Sequence, residues 1–198
     1  GEGTRVVGEA DERKRFQTAI AKFSRDCDFI VIDCPGTDTF LGRLAISLAD
    51  KLITPMNDSF VDLDVLAEVD GLNGKISRLS VYAETIWEQR KQRAAQGAKP
   101  IDWIVMRNRL SQIHARNKQD MERVLSELSG RLGFRIAPGF AERVIFRELF
   151  PRGLTMIDVL EAGDAGDRSM SHLAARQEVR SLLNALQLPH RVPKRSQN

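Results

Sequence analysis

The run Asp28-Phe29-Ile30-Val31-Ile32-Asp33-Cys34-Pro35-Gly36 constrains the fold more than any other stretch of this chain. Its apolar residues are β-branched or aromatic, which suits a strand. Because they follow one another without polar alternation, they predict a parallel strand covered on both faces. The run stops on Asp33 and turns through Pro35-Gly36. Open α/β sheets hold their ligands just beyond the carboxyl ends of such strands, which puts Asp33 at a ligand position. The alternative is an Asp that caps the next helix.

The rest of the chain alternates in the same way. Phe16, Ala19, Ile20 and Phe23 share one face of a helix over residues 11–26. A second helix runs from Thr39 to Asp50, with Asp38 or Thr39 as its cap. Lys51–Thr54 is a short strand closed by Pro55, and a helix is expected from Asp62 or Asp64 to about Ser77. A charged helix over Ala83–Gln96 leads to a third strand, Ile101–Met106. Met121, Val124, Leu125, Leu128 and Leu132 then mark a helix that precedes a strand at Phe134–Ile136. A helix at Ala141–Leu149, an irregular stretch at Gly153–Asp167 and a last helix carrying Leu173, Val179, Leu182, Leu183 and Leu186 complete the order. Strands alternating with helices predict an α/β fold with a mostly parallel sheet and helices on both faces. Residues 1–188 read as one such domain, and residues 189–198 as a basic, flexible tail.

Several function classes are excluded or lack support. No apolar stretch approaches the roughly 18 residues of a membrane span. Gly1-Glu2-Gly3-Thr4-Arg5 lacks the apolar core of a secretory signal, so nothing argues for export. Cys27 and Cys34 are too few for a disulfide framework and are expected as reduced thiols in a cytoplasm. His114, His172 and His190 have no metal-ligand spacing, and no serine lies in a Gly-x-Ser-x-Gly context.

The net charge of +3 is too small to argue for nucleic acid, but its distribution is uneven. Between Trp87 and Lys118 there are eight basic residues, Arg90, Lys91, Arg93, Lys99, Arg107, Arg109, Arg116 and Lys118, against two acidic ones. Between Leu52 and Gly74 there are five acids, Asp58, Asp62, Asp64, Glu68 and Asp70, and no Lys or Arg. A basic concentration of this kind attracts a polyanion through phosphate neutralisation. It is equally a solvated helix face.

Several motifs, in order, resemble one family. They are Cys27–Gly36, Thr54-Pro-Met-Asn-Asp-Ser-Phe-Val-Asp62, Trp103-Ile-Val-Met-Arg-Asn-Arg-Leu110, Gly133-Phe-Arg-Ile-Ala-Pro-Gly139, Arg143-Val-Ile-Phe-Arg-Glu-Leu-Phe-Pro151 and His172-Leu-Ala-Ala-Arg-Gln-Glu178. Together they resemble the MinD/ParA ATPases, and their MipZ branch most closely. The resemblance implies a Rossmann-like P-loop NTPase fold that binds ATP and Mg²⁺. It implies that Asp33 serves the Mg²⁺ site through water, that Gly36 contacts the γ-phosphate, and that Asn108 reads the adenine edge. Arg109 lies beside Asn108, and Pro138 lies in the loop that packs on the base. An Asn amide offers donor and acceptor in one plane, although Asn108 is also a natural cap for the following helix and Pro138 a natural turn residue.

The resemblance further implies an ATP-dependent homodimer that binds DNA without sequence preference on the nucleoid. Its implied protein partners are a ParB-like centromere-binding protein and FtsZ, whose assembly the dimer inhibits to place the division site. Arg107, Arg109, Arg116 and Lys118 become DNA candidates, with Arg90, Lys91 and Arg93 behind them. Asp58, Asp62 and Asp64 become dimer-interface candidates, or simply helix caps. One departure stands out. A P-loop ATPase needs a glycine-rich loop with Gly-Lys-Ser or Gly-Lys-Thr to cradle phosphates, and this sequence contains neither. The chain therefore reads as the C-terminal two-thirds of such an ATPase, with its N-terminal strands absent and no activity expected from it alone. Two other readings remain, a ParA-type chromosome or plasmid segregation ATPase and a non-catalytic DNA- or protein-binding module.

Overall fold

The computed structural model describes residues 2–69, 76–110, 115–158 and 170–189. In chain order the elements are α1 (Glu2–Asp26), α2 (Phe40–Leu48), β1 (Lys51–Asn57), a 3-10 turn (Phe60–Val65), β2 (Ala67–Val69), β3 (Ile76–Leu79) and α3 (Val81–Ala95). They continue as β4 (Asp102–Asn108), α4 (Ala115–Leu132), β5 (Arg135–Ala137), α5 (Val144–Leu149), a second 3-10 turn (Phe150–Arg152) and α6 (Met170–Leu186). The chain divides into two compact units, one made of Gly1–Asp50, Thr85–Ile101 and Pro189–Asn198, the other of Lys51–Glu84 and Asp102–Leu188.

The second unit is built on a parallel sheet of order β1-β4-β5. Its middle strand, β4, is the apolar Trp103-Ile-Val-Met106, all four residues being buried. This continuous apolar run is what a strand covered on both faces requires. Side chains alternate along a strand, and the two faces have different covers. Ile104 and Met106 pack with Ala137 of β5 and with Leu182, Ala185 and Leu186 of α6. Trp103 points the other way and meets Phe134 edge-to-face at 5.2 Å. The α4 stripe Met121, Val124, Leu125, Leu128 and Leu132 is buried at the expected helical spacing.

Two polar clusters in this unit are internally partnered, whereas the buried Arg176 Nε has no partner among the described residues. The Thr54 hydroxyl, 4% exposed, accepts from Trp103 Nε1 at 3.0 Å and shares a 2.7 Å hydrogen bond with the Tyr82 hydroxyl. At the amino ends of the strands, Asp102 accepts from Lys51 Nζ at 2.7 Å and from Arg135 Nε and Nη2 at 2.9 and 2.8 Å. One carboxylate thus ties the first residues of β1, β4 and β5. The Arg135 guanidinium, followed by Lys51, holds its pKa down at about 2.

Two expectations are corrected. Residues 28–33 form no strand, and Phe29, Val31 and Ile32 are 49%, 92% and 37% exposed. An apolar run becomes a strand only by hydrogen bonding to a neighbour, and none of the described strands pairs with this one. The helix expected over Asp62–Ser77 is instead the first 3-10 turn, capped by Ser59 Oγ, followed by the antiparallel pair β2-β3. Gly71 and Gly74 interrupt the helical pattern and Val61, Val65, Val69 and Ile76 are β-branched, so local preference opposes a helix there. Smaller differences are that β1 runs through Pro55 to Asn57 and that α1 begins at Glu2. Pro55 lies on an edge strand, where its missing N–H is tolerated.

The first unit holds α1, α2 and most of α3. Thr39, one of the two expected caps, closes the start of α2 by accepting from Gly42 N at 3.0 Å. Arg93 closes its other end, donating from Nη1 to the carbonyls of Ser47 and Ala49 at 3.2 and 2.8 Å. Cys27 and Cys34 are free and exposed. No helix among the described residues is long and apolar enough to cross a membrane. The expected tail and most of the irregular Gly153–Asp167 stretch lie outside the described residues.

Candidate functional site

Because β1, β4 and β5 are parallel, their carboxyl ends and following loops gather at one edge of the sheet. Asn57 stands beside Asn108, and Met106 beside Ala137. Main-chain hydrogen bonds then join the loops. Asp58 N donates to Asn108 O at 3.1 Å, Phe140 N to Arg107 O at 3.0 Å, and Leu110 N to Phe140 O at 2.9 Å. Asn108 and Pro138, 30 positions apart in sequence, are thereby brought to adjoining loops. Asn108 is half-buried and its amide has no hydrogen-bond partner among the described residues; Pro138 is exposed. A half-buried amide and an exposed proline ring on adjoining loops are groups that suit the edge and face of a flat heterocycle.

Gly139 explains how closely the two loops lie. A Cβ there would fall 2.1 Å from Arg107 O, so only glycine permits this approach. Arg109, the residue after Asn108, is exposed with φ of 52°, a left-handed conformation uncommon outside glycine. Sequence reasoning singled out neither Gly139 nor Phe140. A glycine after a proline marks a turn, but its contact with the Arg107 carbonyl spans 32 positions and has no local signature.

Arg107, one of the DNA candidates, faces inward. It is 6% exposed, and its guanidinium is directed inward. Nε donates to Asp58 Oδ1 at 2.8 Å, Nη2 contacts the same oxygen, and Nη1 reaches Glu122 Oε1 of α4 at 3.2 Å. A buried, doubly paired guanidinium is not offered to a polyanion. Asp58 is correspondingly committed, its side chain being 11% exposed. Asp62 and Asp64 sit half-buried and exposed on the first 3-10 turn, whose cap is Ser59 rather than either of them.

The other basic candidates fall into four groups. Arg93 is occupied at the end of α2, and its Nε also donates to Lys99 O at 2.9 Å, which withdraws it from the surface set. Lys91 is exposed and pairs with Glu88 at 2.6 Å, and Arg90 is half-buried on the same helix. Arg116 and Lys118 lie on α4, but their side chains are outside the described residues. Arg109 remains as an exposed guanidinium at the sheet edge.

Asp33 and Gly36 belong to the first unit, in an exposed segment without regular structure. A Cβ at Gly36 would meet nothing within 4 Å. The Asp33 charge, after partial burial, contributes to raising the Cys34 thiol above its ordinary range. No group of three potential metal ligands occurs among the described residues. The sequence has no Gly-Lys-Ser or Gly-Lys-Thr, and among the described residues no cluster suited to phosphates or Mg²⁺ stands beside Asn108.

A family model described as ATPase MipZ matches residues 2–190. No curated protein matches the chain.

Proposed function

The chain belongs to the MipZ ATPase family, and from that premise we propose that it serves a MipZ-like switch in which ATP drives a homodimer that binds DNA without sequence preference. In this reading the dimer acts on the nucleoid, is loaded by a ParB-like protein, and places the division site by inhibiting FtsZ assembly. Asn108 and Pro138 are its base-reading residues. Arg109, Arg116, Lys118, Arg90 and Lys91 are its DNA contacts, and Asp62 and Asp64 face the partner copy. The observation that supports the reading best is the sheet edge itself, where main-chain hydrogen bonds join the end of β4 to the Pro138–Phe140 loop. Hydrolysis is not assigned to the 198-residue polypeptide alone, because its sequence supplies no phosphate cradle.

The test is an NMR titration of the ¹⁵N-labelled polypeptide with ATP and, separately, GTP. Shifts confined to Asn108, Arg109 and the Pro138–Phe140 loop, with tighter binding of ATP, support the assignment. No saturable shift, or an equal response to both nucleotides, overturns it. A second reading is a non-catalytic DNA-binding module, which the exposed Arg109 guanidinium at the sheet edge would suit equally. Fluorescence anisotropy with a random-sequence duplex separates the two. Binding that needs ATP and homodimer formation supports the switch, and binding indifferent to nucleotide supports the module.

A further inference from the structure

We infer that Arg107 is a positioning residue for base recognition, using its buried ion pair with Asp58 to hold Asn108 in the orientation that distinguishes adenine from guanine. The inference rests on the proposed nucleotide reading and deepens it.

Four pieces of backbone converge on Arg107. It lies in β4; its side chain grips Asp58, the first residue after β1, and Glu122 of α4. Its carbonyl accepts the Phe140 N–H from the loop after β5. Asp58 in turn donates its own N–H to the carbonyl of Asn108. Asn108 is therefore flanked by two fastenings, one through Asp58 and one through the Arg107 peptide, each belonging to the same buried cluster. Strand alternation places Asn108 on the face shared by Ile104 and Met106, opposite the Arg107 side chain. The cation never needs to touch the ligand.

Discrimination between two purines depends on which amide group, donor or acceptor, meets each ring atom. A site that pairs correctly with one base leaves unpaired groups with the other, but only if its orientation is fixed. An Asn at a strand end, followed by a left-handed residue, has little to fix it apart from its neighbours. Here the fixing groups are charged and nearly excluded from water, with Arg107 and Asp58 side chains 8% and 11% exposed, so their geometry is held far more firmly than that of surface pairs.

The experiment compares wild type, Asn108→Ala, Arg107→Lys and Asp58→Asn by the same NMR titration, reading the ratio of GTP to ATP dissociation constants. Lysine keeps the charge but lacks the fork that spans Asp58 and Glu122. The expected result is a ratio that falls at least threefold toward unity in Arg107→Lys and Asp58→Asn, with dispersed spectra showing an intact fold. A wild-type ratio retained by both variants, while Asn108→Ala loses it, overturns the positioning role and leaves the nucleotide reading standing. A wild type without preference, or an Asn108→Ala variant that keeps it, removes the nucleotide reading and this inference with it. Should the single variants not fold, the paired replacement Arg107→Met with Asp58→Leu fills the same space without charge; a preserved ratio in that protein also overturns the role.

Discussion

Replacing Gly139 by alanine tests the closeness of the two loops at the sheet edge. The added Cβ would lie 2.1 Å from Arg107 O, 2.9 Å from the Arg107 carbonyl carbon and 3.1 Å from Leu110 Cδ1. Ordinary contact needs about 3.5 Å, so the Pro138–Phe140 loop must retreat from β4 by about 1 Å or more. That movement breaks the 3.0 Å bond from Phe140 N to Arg107 O and strains the 2.9 Å bond from Leu110 N to Phe140 O. One lost bond and one weakened bond, with one carbonyl left partly buried, cost about 2–4 kcal/mol. The smaller unfolded-state entropy of alanine offsets about 0.4–1 kcal/mol of this. A net loss of about 2–3 kcal/mol corresponds to a drop of about 5–10 °C in Tm for a chain of this size. Urea unfolding followed by Trp103 emission in a Trp87→Phe background measures it, since Trp103 is buried beside β5 and Trp87 is half-exposed. Gly130→Ala in α4, where a Cβ meets nothing within 4 Å, is the control and is expected to stabilise by about 0.5–1 kcal/mol. Stability of Gly139→Ala within about 0.5 kcal/mol of its parent would refute the argument.

The Asp102 cluster gives a pH signature. Its folded pKa of about 2 lies below the ordinary 3.8, so its stabilisation is fully present above pH 3.8 and is lost as pH falls toward 2. With the carboxylate 28% exposed, Asp102→Asn is expected to cost about 1 kcal/mol at pH 7 and to flatten the stability curve between pH 4 and 2; an unchanged acid limb would contradict the assignment. Thr54→Val leaves the buried Trp103 indole N–H and the Tyr82 hydroxyl without their shared partner, and a loss of about 1–3 kcal/mol is expected in the same urea assay. Arg109→Gly relieves the φ of 52° and is expected to stabilise by about 1 kcal/mol. If Arg109 contacts phosphate, that substitution also lowers the slope of log affinity for DNA against log salt by about 1, which anisotropy at several salt concentrations measures.

The parts of the fold legible in sequence are those fixed by short-range pattern. The α4 stripe from Met121 to Leu132 and the apolar β4 core each carry their period in a few consecutive residues, and both are buried as that period requires. Asp28–Asp33 carries an equally strong strand pattern and forms none. Periodicity specifies which face a strand hides, while the hydrogen-bonded neighbour that makes it a strand comes from elsewhere in the chain or from another chain. The same distinction separates Asn108 from Arg107. Asn108 ends β4 at the carboxyl edge of the sheet, so its place follows from topology. Arg107, one residue earlier, was grouped with surface cations by its charge and its basic neighbours. Its burial follows from a carboxylate 49 positions upstream, just past a strand whose register with β4 no local rule supplies. Alternation alone could have set Arg107 on the same face as Trp103 and Val105, and a cation on a buried face demands an acid. The acidic stretch after Pro55 held that acid. The basic and acidic segments thus supply the two halves of one internal ion pair, Arg107 with Asp58.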